Sequence, residues 1–175
     1  MAGLRKGHCY SRIKRSYTRH SKVKSKSYIK TVPTNKITRY DMGDPKKQFK
    51  FRLDLVVRAA IQIRHNALES TRTLINRHLN EEIGTSNYFF KLRQYPHHIL
   101  RENKMLTGAG ADRMQTGMQQ SFGRAIGVSA QLRKNAKLFS IFTNKENIEK
   151  AKTAMARAPA RLPGKYKINL VEIKK

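Results

Sequence analysis

The sequence predicts an α+β fold: a two-layer sandwich of two helices on a mixed, largely antiparallel sheet, with an extended basic N-terminal arm and a long Gly-rich loop. Three observations carry this. Apolar residues alternate with polar ones at Phe49–Leu55 and Tyr166–Glu172, the period of half-buried strands. Two segments, near residues 68–83 and 148–158, repeat apolar residues every three or four positions, the period of helices with one buried face. The first forty residues hold twelve lysines and arginines and no acid, a composition that cannot bury a core alone.

The arm comes first. Residues 1–47 read as extended and irregular, and Asp41-Met-Gly-Asp-Pro45 supplies turn chemistry before the folded part. Within residues 48–175, read as a single domain, Phe49, Phe51, Leu53 and Leu55 alternate with Lys50, Arg52 and Asp54. The run continues through Val57 and bends before Ile61. A helix follows, with Asn66 as its cap, Glu69 three residues on, Leu68, Ile75, Leu79 and Ile83 on one face, and Gly84 as its stop. His78 falls on the rim of that helix. Tyr88–Arg93 and His98–Arg101 read as strands parted by Tyr95-Pro96. Residues 102–125 lack periodicity and form the projecting loop, in which Met118 and Phe122 read as core. Val128–Leu132 and Leu138–Phe142 pair as a hairpin. Thr143 and Glu146 make a capping box for a second helix with Ile148, Ala151, Met155 and Ala158 inward and Pro159 at its end. Tyr166–Glu172 is the last strand.

Composition narrows the partner. There are 38 basic and 11 acidic residues, a formal charge of +27. Such a surplus repels itself until a polyanion neutralises it. Tyr10, Tyr17, Tyr28 and Tyr40 interleave the arm's cations, so rings that stack on bases stand beside charges that bind phosphates. DNA or RNA is therefore the expected partner. A membrane is not: the arm has no apolar stripe or lipidation signal, and no run of eighteen apolar residues exists. The single cysteine, Cys9, excludes an intramolecular disulfide and fits a reducing compartment. The candidate phosphate contacts in the arm are Arg5, Lys6, Arg12, Lys14, Arg15, Arg19, Lys22, Lys24, Lys26, Lys30, Lys36 and Arg39.

Catalytic constellations do not assemble. Gly108-Ala-Gly110 lacks the third glycine of a dinucleotide fingerprint, because Arg113 stands there, and the chain has no P-loop lysine pattern. His97 and His98 are adjacent, so on a strand they point to opposite faces and cannot chelate one metal. Glu102 and Asp112 are the only acids near the loop, too few for metal-dependent nuclease chemistry. Cys9 has only His8 beside it as a base. No cofactor, metal or enzymatic activity is expected. What the loop offers is glycine, for close backbone approach, with Arg101, Lys104, Arg113 and Arg124 around Met105, Leu106 and Met114. A free nucleic-acid-binding regulator, or an RNA-processing factor, is the alternative; the first would need a recognition helix, and the first helix carries Arg72 and Arg77 but lacks a helix-turn-helix partner.

The loop also carries a resemblance. Asn103-Lys-Met-Leu-Thr-Gly-Ala-Gly-Ala-Asp-Arg-Met-Gln-Thr-Gly-Met118, with Tyr95-Pro-His-His98 before it and Ser121-Phe-Gly-Arg124 after it, closely resembles the archaeal and eukaryotic "ten-e" branch of a universal large-subunit ribosomal protein, counterpart of the bacterial "sixteen" protein. Val32-Pro33, Lys36-Ile37, Asp41-Met-Gly43 and Arg161-Leu-Pro-Gly164 extend the likeness, which is looser before Tyr28 apart from Cys9-Tyr10. The resemblance implies a two-layer α+β sandwich and a cytoplasmic, structural constituent of the large ribosomal subunit. Such a protein would bind large-subunit rRNA near the 5S rRNA region beside neighbouring ribosomal proteins. It would also help shape the aminoacyl-tRNA site without catalysing peptide bond formation. By the same resemblance, Thr107, Gly108, Gly110, Asp112, Arg113, Met114, Gln115, Thr116 and Gly117, with Lys104 and Arg124 at the loop's ends, approach the tRNA acceptor arms near the peptidyl-transferase centre, Arg113 and Gln115 most exposed to RNA. Two departures stand out. Gln119 replaces a common basic residue, which removes a phosphate contact, and Arg124-Ala125 replaces a usual Lys-Pro, which loosens the loop's exit.

Overall fold

A computed structural model of the chain describes residues 5–13, 23–27, 29–103, 118 and 122–173. Among these, eight strands and two α-helices follow in the order β1 (Asp41–Gly43), β2 (Phe51–Val57), β3 (Ile61–Arg64), α1 (His65–Glu82), β4 (Tyr88–Leu92), β5 (His98–Glu102), β6 (Arg124–Leu132), β7 (Lys137–Thr143), α2 (Ile148–Ala156) and β8 (Tyr166–Glu172). The α+β sandwich is as expected. Its sheet is not one mixed sheet but two, of five strands in the order β1-β4-β7-β2-β8 and three in the order β3-β6-β5. Every pairing is antiparallel. The chain first crosses between the two sheets at Arg58-Ala59-Ala60, where it leaves one after Val57 and enters the other at Ile61. It also crosses between β6 and β7, so the hairpin expected of Val128–Leu132 with Leu138–Phe142 does not form: β6 pairs with β3 and β5, and β7 with β2 and β4.

One core joins both sheets to the helices. Leu53, Leu55, Phe90, Phe139 and Ile141 from the larger sheet, Ile63, Ala130 and Leu132 from the smaller, Leu68, Ile75 and Leu79 from α1, and Ala151, Ala154 and Met155 from α2 form a single buried cluster. Burying each large side chain contributes about 1.5–3 kcal/mol, enough collectively to hold the two sheets on α1. Pairing also fixes which faces meet. Leu53 lies opposite Ile141 and Leu170, and Ile63 opposite Ala130. On β2 the neighbouring face holds Asp54, buried yet satisfied by Ser140 Oγ at 2.6 Å, Arg52 Nε at 3.1 Å and Lys137 Nζ at 3.1 Å.

Local expectations fare unevenly. The turn expected at residues 41–45 begins with strand β1, paired to β4, whose last residue Gly43 has φ +82°. A Cβ there would lie 2.3 Å from the carbonyl oxygen of Tyr88, so both conformation and space demand glycine. Helix α1 starts one residue before Asn66; Arg64 occupies the cap without a side-chain bond, and Asn66 Oδ1 instead accepts from the Ala67 N–H at 3.0 Å. The capping box at Thr143 and Glu146 does not form. Thr143 stays in β7, its hydroxyl donating to the Asn87 carbonyl at 3.4 Å, and a 3-10 turn at Lys145–Asn147 precedes α2. The tertiary ladder claims Thr143 before the helix can. Pro159 lies in a further 3-10 turn, Ala158–Arg161, after α2 has ended. His78 is half-buried at the helix rim, 2.7 Å from Arg157 through Nε2.

Candidate nucleic-acid interface

The described arm is laid along the smaller sheet rather than free of it. Strand β3 is an edge, and its Gln62 N–H donates to the Ser11 carbonyl at 2.9 Å. The Gln62 amide reaches the Tyr10 carbonyl at 2.8 Å and is itself held by Gln131 Nε2 at 3.0 Å. Arg64 donates to the Arg5 carbonyl at 3.0 Å and places its guanidinium 5.2 Å from the centre of the Tyr10 ring. From β5, Glu102 Oε1 accepts the Tyr10 hydroxyl and lies 3.4 Å from Arg5 Nε. Burial, then the hydrogen bond and charge of Glu102, push the Tyr10 phenol up to about 12, so it remains a donor throughout the neutral range. One carboxylate thus joins the start of the arm to the end of β5. Glu102→Ala removes the acceptor from Tyr10 and the counter-charge from Arg5, at a cost of about 1 kcal/mol for a part-exposed charged hydrogen bond. The expected result is roughly fivefold faster tryptic cleavage of residues 5–13 with little change in global unfolding.

A second attachment lies further along. Ile29 is buried against Ile99 and Val128 in a satellite cluster, and Ile37 enters the main core. The Lys36 N–H donates to His65 Nδ1 at 3.3 Å, at the first turn of α1. Burial, with Lys36 and Arg64 nearby, holds the His65 imidazole below its ordinary value. A neutral ring is needed, because Nδ1 must keep its lone pair to accept. The unfolded chain therefore binds the proton more readily. The stability that His65 confers is complete above the ordinary imidazole value and is lost as pH falls through the lowered one. Unfolding measured from about pH 8 to about pH 5 should show a decline that His65→Gln flattens.

Between these attachments the arm meets the stem of the loop. Glu102 pairs with Arg124 and Arg101 with Ala125 across β5 and β6, so the stem is a ladder that reaches into the segment expected to be loop. The Arg124-Ala125 departure, expected to loosen the loop's exit, is strand-paired instead. Arg101 donates to the Phe122 carbonyl at 2.6 Å. Gly123 turns with φ +106°, and a Cβ there would stand 2.6 Å from Met118 Cε and 2.8 Å from the Glu102 carbonyl oxygen. Met118 and Phe122, expected as core, are only half-buried here. Beside this stem Ile29, Lys30, Thr31, Arg101, Gly123, Arg124 and Ala125 line a groove of about 560 Å³. Lys30 and Arg124 are exposed at its walls.

The expected site residues divide accordingly. Lys30 and Arg124 come together, although one belongs to the arm and the other to the stem. Arg5 is paired with Glu102, while Lys6, Arg12, Lys26, Lys36 and Arg39 are exposed along the arm. Lys24 falls in a 3-10 turn, Lys24–Lys26. Lys14, Arg15, Arg19 and Lys22 lie outside the described residues, as do Lys104, Thr107, Gly108, Gly110, Asp112, Arg113, Met114, Gln115, Thr116 and Gly117. Sequence reading did not single out Gln62 or Arg64, and weighed Glu102 only as a catalytic acid. The one available signal was its isolation as the only acid between Glu82 and Asp112.

The helix arginines are committed elsewhere. Arg72 is buried against Glu69 Oε1 at 2.5 Å and Met42 Sδ at 3.0 Å, and Arg77 pairs with Glu81 at 2.8 Å. Cys9 is exposed, its Sγ 3.8 Å from His8 Nε2. Among the described residues no three His, Cys, Asp or Glu gather to hold a metal, and no helix is long and apolar enough to cross a membrane.

Comparison with known proteins gives the same direction. The family described as ribosomal protein L16p/L10e matches residues 13–169. A protein named large ribosomal subunit protein uL16 from Methanospirillum hungatei is 46% identical over 150 residues, covering 86% of this chain and 85% of its own. The protein of that name from Methanococcus maripaludis is 45% identical over 166 residues, covering 94% and 92%. The one from Staphylothermus marinus is 44% identical over 161 residues, covering 91% and 89%. With an arm and a loop stem converging on one basic groove, and likeness along almost its whole length, this chain belongs to the ribosomal protein L16p/L10e family.

Proposed function

We propose that the protein is a structural, non-catalytic constituent of the large ribosomal subunit that binds its ribosomal RNA and adjoins other ribosomal proteins. Residues 1–47 act as the RNA-binding arm and residues 48–175 as the anchor. The observation that carries this reading is the convergence of Lys30 from the arm and Arg124 from the loop stem on one groove, with Arg101 in its lining. Two segments far apart in sequence thereby offer cations to a single stretch of phosphates. The regulator alternative needs free arginines on a helix, and Arg72 and Arg77 are engaged by Glu69 and Glu81.

The finer reading rests on the resemblance of the loop. The protein lies near the 5S rRNA region, and residues 104–117 approach tRNA at the aminoacyl site. In cells, the tagged protein should sediment with large subunits on a sucrose gradient, and its appearance only at the top would end the proposal. Replacing Arg113 and Gln115 with Ala should leave that sedimentation intact while slowing tRNA accommodation by tenfold or more, about 1.4 kcal/mol or above on the transition state. Unimpaired accommodation would remove the loop from the tRNA site without touching the ribosomal assignment.

A further inference from the structure

A second groove lies on the other end of the same arm segment. Val32, Pro33 and Asn35 face Tyr95, Pro96 and His97 across Val128, enclosing about 340 Å³. The lining is largely apolar yet open to solvent: Tyr95 is 59% exposed and Val32 61%. Exposed apolar groups gathered in one place on a strongly cationic protein mark a contact surface. Tyr95 is also preset. One side of its ring is stacked on Tyr40, with centroids 5.7 Å apart and planes at 23°. Tyr40 is fixed in turn, accepting from the Asn35 amide at 3.0 Å through its hydroxyl and from the Leu92 N–H at 2.8 Å through its carbonyl.

We propose that this groove receives one unpaired nucleobase, stacked on the exposed side of Tyr95 and flanked by Val32, Pro33 and His97. The proposal rests on the RNA-binding reading above and assigns it a place. Three observations select a base as the occupant. Residues 29–31 line the basic groove and Val32, Pro33 and Asn35 line this one, so the two grooves adjoin along the arm, Lys30 and Pro33 being no more than about 10 Å of extended backbone apart. Both grooves rest on β6, at Ala125 and at Val128. That strand is the centre of its sheet and offers no open edge for a peptide to extend. A ring already backed by another ring loses little freedom when a base covers it, and such stacking tolerates any base.

The test uses the full-length protein and a fluorescent single-stranded RNA of ten adenosines, with Tyr95→Phe, Tyr95→Ala and Val32→Glu. Tyr95→Phe should bind as the parent does. Tyr95→Ala should bind roughly five- to hundredfold more weakly with an unchanged salt slope, since a stacking contact is lost and no phosphate contact. Val32→Glu fills the groove without touching the Tyr40 stack and should weaken binding too, which decides the matter if Tyr95→Ala fails to fold. Parent-like affinity in both Tyr95→Ala and Val32→Glu overturns the stacking site while leaving RNA binding intact. If those variants bind the oligonucleotide normally but fail to enter large subunits, the groove belongs to a protein neighbour and the proposal is equally overturned. A parent that ignores both the oligonucleotide and large-subunit RNA defeats the RNA reading itself.

Discussion

Deleting residues 1–28 lowers the salt dependence of large-subunit RNA binding by about four units of slope, the largest single change expected for this protein. Nine of the twelve lysines and arginines in the first forty residues precede Ile29. Each one seated on a phosphate contributes about 0.9 to the slope of log affinity against log salt, so engagement of only half of them gives that figure. The cut must stop before Ile29, because Ile29 and Ile37 are buried at 8% and 7% exposure and belong to apolar clusters. Before Ile29 the described residues bury no apolar side chain, and their ties to the fold are the hydrogen bonds of Arg5, Tyr10 and Ser11 with Arg64, Gln62 and Glu102. Thermal unfolding should therefore stay cooperative while the salt slope collapses. An unchanged slope would mean that the arm keeps the protein soluble and does not hold RNA.

The double substitution Lys30→Ala and Arg124→Ala produces the second largest effect. Both side chains are exposed at the walls of one groove, and alanine at either position leaves no buried group unpaired. Losing two phosphate contacts should reduce the slope by about two and weaken binding roughly fiftyfold near 0.1 M salt. Arg77→Ala is the control. Arg77 is just as cationic but is paired to Glu81 on the outer side of α1, so its removal should leave RNA affinity almost unchanged. A slope change in Arg77→Ala half that of the double variant, one charge against two, would show that only net charge matters and that the groove has no special place in binding.

Much of this was legible in the sequence, and the illegible part has physical reasons. Alternation located β2, β6 and β8 because each is long enough for the period of two to repeat. Strand β1 spans three residues, too few for a period, and exists because β4 pairs with it. The split into two sheets could not be read, since which strands pair is decided by contacts remote in sequence. Thr143 and Glu146 matched a helix cap locally and lost to the ladder of β7. At the interface, the abundance of cations pointed to nucleic acid but not to the grouping of Lys30 with Arg124. The bond from Tyr10 to Glu102 spans 92 residues, and no local pattern announces it. Glu102 is informative for that reason: in a chain carrying +27, its carboxylate ties the start of the arm to the end of β5.

The most direct measurement is a cross-linking map on assembled large subunits, with a photoreactive group placed at position 30 in one preparation and at position 124 in another. If arm and stem form one RNA-facing surface, both positions attach to the same short stretch of ribosomal RNA. Attachment to well-separated RNA segments, or to protein alone, would contradict it.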